Sequence, residues 1–573
     1  MALKKNLLIT LLFTVIASFL VAAIASPDAI PPSASDALYH VMNIFEAHQG
    51  LQQGQFPLRV ATDVEQGWLY PIFQFYAPFA YSVAGIIGFI ILHNPWNVYK
   101  ITLCLAGVLG AWYAYKLYLF LFKDEVAALL GAALYLLSPY LLVNITVRCD
   151  FTEAFTQCIL PATLYYAFRL FYAEKKDRHV YYFAAALILA YYCLATSHFI
   201  TFATTSFFLA LLLLCLAFKE KRLFALPRLI CCALTSLILA AWYLGPILFL
   251  HAHLLMGTYE IFSPWGAAWL SSLPTLLAPK SVIGNPILGG TPITPGVGLI
   301  ILMSVGYWLY QAWMRPPLTP LIRTSLILWW IAFFMVWSPV NFWRLLPHIA
   351  YVVQFPYRLT TILMWLGGLL FIGMLVKLMP SPLKIQHGVI GLFCIGIAAA
   401  QWIPPNGYAQ GSFSVHSFNM AAFTRAYADH GYPQDYLIDF KTISSQSVDW
   451  KVNKTQPQCH LKAATLHCQF QTTAKDTTVQ LPLFYYPHLL DVQVDGHSVP
   501  YFASLAQDPN PTRVRLGVSA PSVDALASIH LLPGSHQVIA RFSGLMLANW
   551  ISRLAWMAYG LFILALIMRR LRS

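Results

Sequence analysis

The sequence predicts a polytopic α-helical membrane protein with a β-rich, sandwich-type domain placed before its last span. Three observations carry that prediction. Runs of about 20 apolar residues recur along most of the 573-residue chain, the length that crosses a bilayer as a helix. Hydrophobic residues make up 59% of it and charged residues 10%, with a mean hydropathy of +0.63, outside the range of soluble domains. One stretch, 405–550, breaks the pattern with alternating apolar and polar residues and turn dipeptides.

The formal net charge is +13. Its basic residues fall in short clusters between apolar runs and never gather on one soluble face, so nucleic acid is excluded as a partner and the charges report topology. Lys4-Lys5, Lys116 with Lys123, Lys175-Lys176 with Arg178, Lys219 with Lys221-Arg222, Arg315 with Arg323, Lys377 with Lys384, and Arg569-Arg570 with Arg572 fall at ends that the positive-inside rule places in the cytoplasm. Both termini are then cytoplasmic.

In chain order, 4–26 pairs two lysines with an apolar run ending in Ala-Ile-Ala-Ser. It resembles a signal peptide, but the run is longer than an ordinary h-region and favours a retained anchor. Residues 70–93 are apolar enough to span. Counting them as a span puts Lys175-Lys176-Arg178 outside, against the charge rule, so we expect a re-entrant or juxtamembrane helix pair. Pro71 and Pro78 fit backbone broken at membrane depth.

The remaining spans are expected near 97–121, 126–146, 152–173, 180–197, 199–218, 227–248, 297–313, 323–338, 359–378, 388–404 and 554–568, about twelve crossings with the first. Segments 27–69, 147–153, 249–296 and 339–358 then share the non-cytoplasmic side.

In 405–550, Asp495-Gly496 and Pro533-Gly534 mark turns, and Thr512–Leu516 and Gln537–Phe542 alternate as strands do. Cys459 and Cys468 are spaced as a hairpin brings together, which suits a disulfide in an oxidising compartment. A metal site with His460 and His467 is the weaker alternative. The other eight cysteines lie in or beside apolar spans, where buried thiols are ordinary.

Charges are scarce, so those at the predicted outer face are informative. Asp36 and His40 are four apart, on one face of a helix, and Asp63 and Glu65 follow in the same loop. Tyr70–Pro78 is an aromatic, proline-rich approach that includes Tyr76. Arg148-Cys149-Asp150-Phe151-Thr152-Glu153 opens one span, and Gln354-Phe355-Pro356-Tyr357-Arg358 opens another.

Each has a structural alternative. Asp36 serves equally as a helix cap or solvated loop acid, Asp150 as a partner of Arg148, Glu153 as a helix-start charge, and Arg358 as a headgroup anchor. Together they suit transfer of a sugar from a lipid phosphate. That chemistry needs a base for the acceptor, a cation for the leaving phosphate and apolar grooves for the lipid.

The stretches Asp36–His40, Gly54–Arg59, Gln74–Pro78, Leu134–Tyr140, Arg148–Glu153, Ser197-His198 and Gln354–Arg358, in that order, resemble the GT-C superfamily of membrane glycosyltransferases. Within it they resemble the bacterial membrane family labelled "6-pyruvoyl-tetrahydropterin synthase-related domain". The label does not imply pterin chemistry, because no soluble metal-binding histidine triad is present.

The resemblance covers about 30–360. The chain itself reads as a transmembrane domain over 1–404 with first outer loop 27–96, a periplasmic β-rich domain over 405–550 that departs from the family pattern, and a final span with basic tail over 551–573. The resemblance implies a bacterial inner membrane. It implies a polyprenyl-phosphate sugar donor, an extracytoplasmic glycan, lipid or protein acceptor, and Asp36, Asp150 and Glu153 as catalytic acids, with Asp36 the base. His40, Arg59, Asp63, Tyr76, Arg148, His198 and Arg358 become candidate substrate contacts.

A divalent ion, Mg or Mn, is a candidate cofactor, although no acid-x-acid motif stands near Asp36. The competing functions are a transporter or flippase of a lipid-linked or amphipathic solute, and a non-catalytic envelope assembly factor. Charges near mid-membrane and internal repeats favour the former. A dispensable Asp36 favours the latter.

Overall fold

Apolar runs of this length have one hydrogen-bonding solution in lipid, the helix. Most of the chain adopts it. The structure, a computed structural model, describes residues 2–22, 24, 29–30, 36–64, 68–90, 94–174, 177, 179–251, 253–254, 271–280, 296–314, 317–340, 342–346, 353–379, 383–403, 413–414, 458–473, 477–505 and 525–572.

Among these residues, eight helices are long and apolar enough to cross a membrane: Lys4–Val21, Pro95–Phe122, Glu125–Arg148, Val180–Ser197, Phe199–Lys219, Pro320–Trp337, Pro356–Leu378 and Met546–Leu571. The other four segments expected to cross differ from these. At 227–248 two helices meet at a 76° bend, and Leu299–Trp313 and Ile385–Ala400 have 15 and 16 residues, short of the roughly 20 a bilayer needs. The fourth, Phe151–Tyr172, has 22 residues and carries the polar side chains Glu153, Thr156, Gln157 and Thr163 within the bundle.

Helices are labelled in chain order: α1 Ala2–Ala22, α2 Ala37–Gln52, α3 Ile72–Phe75, α4 Pro78–Gly88, α5 Pro95–Phe122, α6 Glu125–Leu136, α7 Pro139–Val143, α8 Phe151–Tyr172, α9 Val180–Ser197, α10 Phe199–Lys219, α11 Leu226–Leu239 and α12 Ala241–Leu250. Segment 70–93 forms α3 and α4. The 11 residues of α4 reach about 16 Å, half of a hydrocarbon core.

The turns bounding α5, α8 and α10 alternate between two ends of the bundle. Lys123, Asp124, Ala173, Glu174 and the 220–225 loop lie at one end, and Arg148–Asp150 and His198 lie at the other. Small residues let the helices close. A Cβ on Gly110 of α5 would strike the carbonyl oxygen of Cys158 on α8. The central helix Thr360–Leu378 is buried along almost its whole length.

The β-rich region holds two antiparallel sheets of five and three strands, ordered β3-β4-β10-β6-β7 and β5-β9-β8. The strands are β3 Gln458–Lys462, β4 Thr465–Thr472, β5 Thr477–Phe484, β6 Leu490–Val494, β7 His497–Ser498, β8 Phe502–Leu505, β9 Ala525–Leu531 and β10 Gly534–Phe542. Alternate residues such as Leu466, Cys468 and Phe470 are buried, the period-two signature of a half-covered strand.

The two turn dipeptides sit between β6 and β7 and between β9 and β10. Thr512–Leu516 lies outside the described residues. Cys459 and Cys468 are direct cross-strand partners joined by a disulfide, with Cα atoms 4.1 Å apart. A short pair, β1 Ala29–Ile30 with β2 Phe413–Ser414, links distant parts of the chain.

The β-rich region docks on the first polar loop through aromatic rings. Phe484 meets Trp68 edge-on at 5.5 Å, Phe75 lies 5.7 Å from Tyr486, and the Phe484 N–H donates to the Trp68 carbonyl at 3.2 Å.

Candidate active site

Two helix starts and one helix end meet at the bundle end opposite Lys123. The helical path from Glu125 finishes in a π-helical turn, Asn144–Arg148, and Cys149 then takes a left-handed φ of 55°. Such widened turns re-aim side chains. Here the turn points Arg148 at the first residues of α8.

Asp150 stands at the N-cap of α8, where its Oδ1 accepts from the Glu153 N–H at 3.0 Å and from the Thr152 hydroxyl at 3.2 Å. Asp36 occupies the equivalent N-cap position of α2, yet its side chain makes no capping hydrogen bond. That leaves its carboxylate available. The chain holds it in place by its own N–H, which donates to the Arg148 carbonyl at 3.1 Å.

Arg148 is the hub. Its Nη1 donates to Asn144 Oδ1 at 2.7 Å and Glu153 Oε2 at 3.1 Å, and its Nη2 donates to Asp150 Oδ2 at 2.9 Å. The same Nη2 lies 3.5 Å from Asp36 Oδ2, and the guanidinium sits 5.4 Å from the centroid of the Tyr357 ring.

Glu153 is fully buried. A lone carboxylate there costs several kcal/mol. Hydrogen bonds to charged groups return about 1.5–3 kcal/mol each, and Glu153 accepts from Arg148 and from the Tyr140 hydroxyl, with Arg358 Nε 3.4 Å from its Oε2. These partners answer the buried carboxyl group, which orients both arginines.

Arg358 is 9% exposed, and its Nε and Nη1 are buried with no hydrogen-bond partner. His40 bridges. Its Nδ1 shares a 2.7 Å hydrogen bond with the Tyr81 hydroxyl, and its Nε2 lies 3.4 Å from Asp150 Oδ1. Tyr76 shares a 2.6 Å hydrogen bond with Thr152.

His198 caps α10. Its Nδ1 accepts from the Thr201 hydroxyl at 2.7 Å and the Thr201 N–H at 3.3 Å. Glu153, Arg358 and Asp150 all act on it electrostatically, so it borders the same cluster.

Asp36, His40, Tyr76, Arg148, Asp150, Glu153, His198 and Arg358 are thus one neighbourhood. Arg59 and Asp63 stand apart from it. Arg59 ties the first loop to the last helix: it donates to Gln74 Oε1 and to Asn549 Oδ1, the latter at 2.6 Å, and lies over the Trp242 ring. Asp63 is exposed and offers its N–H to Glu46. Glu65 lies outside the described residues.

Electrostatics separate the two N-cap acids. Burial works against the charged form of Asp150, and Arg148 and His40 overcome it, holding the carboxyl well below the usual carboxylate range. Asp36 goes the other way: burial and the neighbouring Asp150 raise it against the pull of Arg148. More than a third of its side chain is nevertheless open, at 38% exposure.

The donor set does not fit a divalent cation. Both oxygens of Asp150 and of Glu153 are engaged by arginines, hydroxyls, an imidazole or a backbone N–H. Among the described residues no group of three or more His, Cys, Asp or Glu side chains is arranged to hold an ion.

Several members of the site carry no sequence signal of their own. Tyr81, Tyr140, Asn144 and Tyr357 are neutral residues in apolar surroundings, although Tyr140 and Tyr357 lie within stretches singled out for other members. Glu46 carries no such signal either. It is fully buried on α2 and accepts the N–H groups of Thr62 at 2.8 Å and Asp63 at 3.2 Å, anchoring the loop.

No family model and no curated protein matches the chain. Solved structures similar to it include an arabinofuranosyltransferase from Mycobacteria, with a TM-score of 0.39 and 14% identity over 69% of this chain and 26% of that one. The oligosaccharyltransferase of Archaeoglobus fulgidus is similar in its apo form, with a TM-score of 0.37 and 13% identity over 70% of this chain and 56% of that one. Its complex with Zn and sulfate has a TM-score of 0.35 and 14% identity over 70% and 53%. The chain spans about a quarter of the mycobacterial protein and about half of the archaeal one. Likeness of this degree leaves the chemistry to be read from the geometry of the site.

Proposed function

We propose that the protein is a GT-C-type membrane glycosyltransferase that moves a sugar from a polyprenyl-phosphate donor to an extracytoplasmic glycan, lipid or protein acceptor. One observation carries the reading. Arg358 faces Glu153 with its Nε and keeps a buried Nη1 without a hydrogen-bond partner, in the neighbourhood of the one cluster carboxylate with an open face, Asp36. Buried donors without partners are costly, and an anion resolves the cost.

In this reading the phosphate of the donor lies against Arg358. An acceptor hydroxyl attacks the anomeric carbon while Asp36 takes its proton. The new C–O bond forms, the bond to the phosphate oxygen breaks with its electron pair on the phosphate, and the configuration inverts. Asp150 and Glu153 fix Arg148 and Arg358 in position. No step needs a metal.

In this reading both termini are cytoplasmic and the β-rich domain is periplasmic in a bacterial inner membrane, which the lysine and arginine clusters support through the positive-inside rule. The test is transfer from a polyprenyl-phosphate sugar by Asp36→Asn, which keeps the shape and removes the base. The expected loss in kcat is at least about 100-fold. Unchanged turnover by a normally folded variant overturns the assignment and favours the transporter or assembly reading.

A further inference from the structure

We infer that the end of the bundle opposite the carboxylate cluster carries a site for the anionic head group of a phospholipid, built on Lys116 of α5 and Arg169 of α8. Both side chains are half-buried on neighbouring helices. Arg169 lies over the Phe183 ring at 4.2 Å and donates to the Tyr165 hydroxyl at 2.8 Å. Lys116 lies over the Tyr113 ring at 5.3 Å, and the Tyr113 and Tyr166 hydroxyls share a 3.0 Å hydrogen bond.

The two cations repel each other, and among the described residues neither has a carboxylate within ion-pair distance. Asp177 acts on Arg169 at longer range. Other cations of the molecule do face carboxylates, among them Lys5 with Glu125, Arg222 with Glu174 and Arg541 with Asp491. Ionisable groups at membrane depth that lack a protein partner call for one from outside.

Depth selects the source of the anion. Lys116 is seven residues from Lys123 at the end of α5, about 10 Å along the axis, within reach of lipid phosphates through its flexible stem. Charge selects the type. A phosphodiester without a compensating ammonium fits two unanswered cations, whereas a choline head group brings a third positive charge against them. The half-exposed tyrosine hydroxyls supply further donors to phosphate oxygens.

The test uses the full chain, delipidated in neutral detergent and titrated with phosphatidylglycerol or phosphatidylcholine, with bound lipid counted by native mass spectrometry. Wild type is expected to prefer phosphatidylglycerol. Lys116→Gln or Arg169→Gln weakens that binding about fivefold and the double variant about thirtyfold, while Lys116→Arg with Arg169→Lys retains it. The inference is overturned by equal affinity for the two lipids or by an unaffected double variant. Competition from inorganic phosphate at equal concentration overturns the lipid source, and loss of binding in the charge-preserving variant assigns the effect to folding and overturns the role of charge.

Discussion

Asp36 and Asp150 occupy the same position at two helix starts and are put to different use. Asp150 caps its helix and is pinned by Arg148. Asp36 leaves its helix uncapped and keeps an open face. Because burial raises the Asp36 carboxyl, the acid limb of the transfer rate is expected above the ordinary carboxylate range, activity falling as pH drops through it.

Glu153→Gln removes the charge that both arginines face. Breaking a buried pair in this way costs about 3–5 kcal/mol, read as a lower thermal midpoint in detergent. Glu46 gives the opposite pH dependence. Burial, then Asp63, pushes its carboxyl up to about 8, above its unfolded value, so its stabilising share is present at low pH and lost as pH rises toward 8 and beyond. Wild type is expected to melt progressively earlier between pH 5 and 9, with a flatter slope in Glu46→Gln.

At this scale the charged members of the site were legible, because a charge beside an apolar span is rare and its position is visible. Glu46 was not. Nothing in the sequence near it announces the backbone N–H groups of 62–64 that it holds.

Among the elements, the union of α5 and α8 decides whether Arg148 and Asp150 meet the rest of the bundle. Gly110 permits that union, since a Cβ would strike the backbone of Cys158 rather than a flexible side chain. Gly110→Ala is therefore expected to lower the thermal midpoint of the purified protein, by an overpacking penalty of about 1–3 kcal/mol.

Element types were largely readable: apolar length gave helices, and alternation gave strands at Gln537–Phe542. The lengths of crossings were not. The bend between α11 and α12 has no proline at its break, where Ala240 lies, and Leu299–Trp313 stops short of a span although its residues are apolar. Hydropathy measures affinity for lipid; it does not measure where tertiary contacts end a helix.

For the molecule as a whole, the basic clusters predict an orientation, and side-specific labelling tests it. A cysteine replacing Lys123 is expected to react with an impermeant maleimide from the cytoplasmic side only, and one replacing Gln469 on the β-rich domain from the opposite side only. Labelling of both from one side refutes the topology. The docking of Phe484 on Trp68 was not readable from sequence, because aromatic residues are abundant throughout and their pairing is set by the folded surface.

The clasp between Arg59 and Asn549 joins residues 490 positions apart. A ribosome adding about 5–20 residues per second makes the second partner roughly 25–100 s after the first. Gln74 follows Arg59 almost at once and Trp242 later in that interval, so the guanidinium is only partly held until Asn549 is made, and the loop that leads to Tyr76 has no anchor on the last helix. The first loop is therefore tied down only when the final helix arrives, although the carboxylate and arginine cluster itself needs no residue beyond 358.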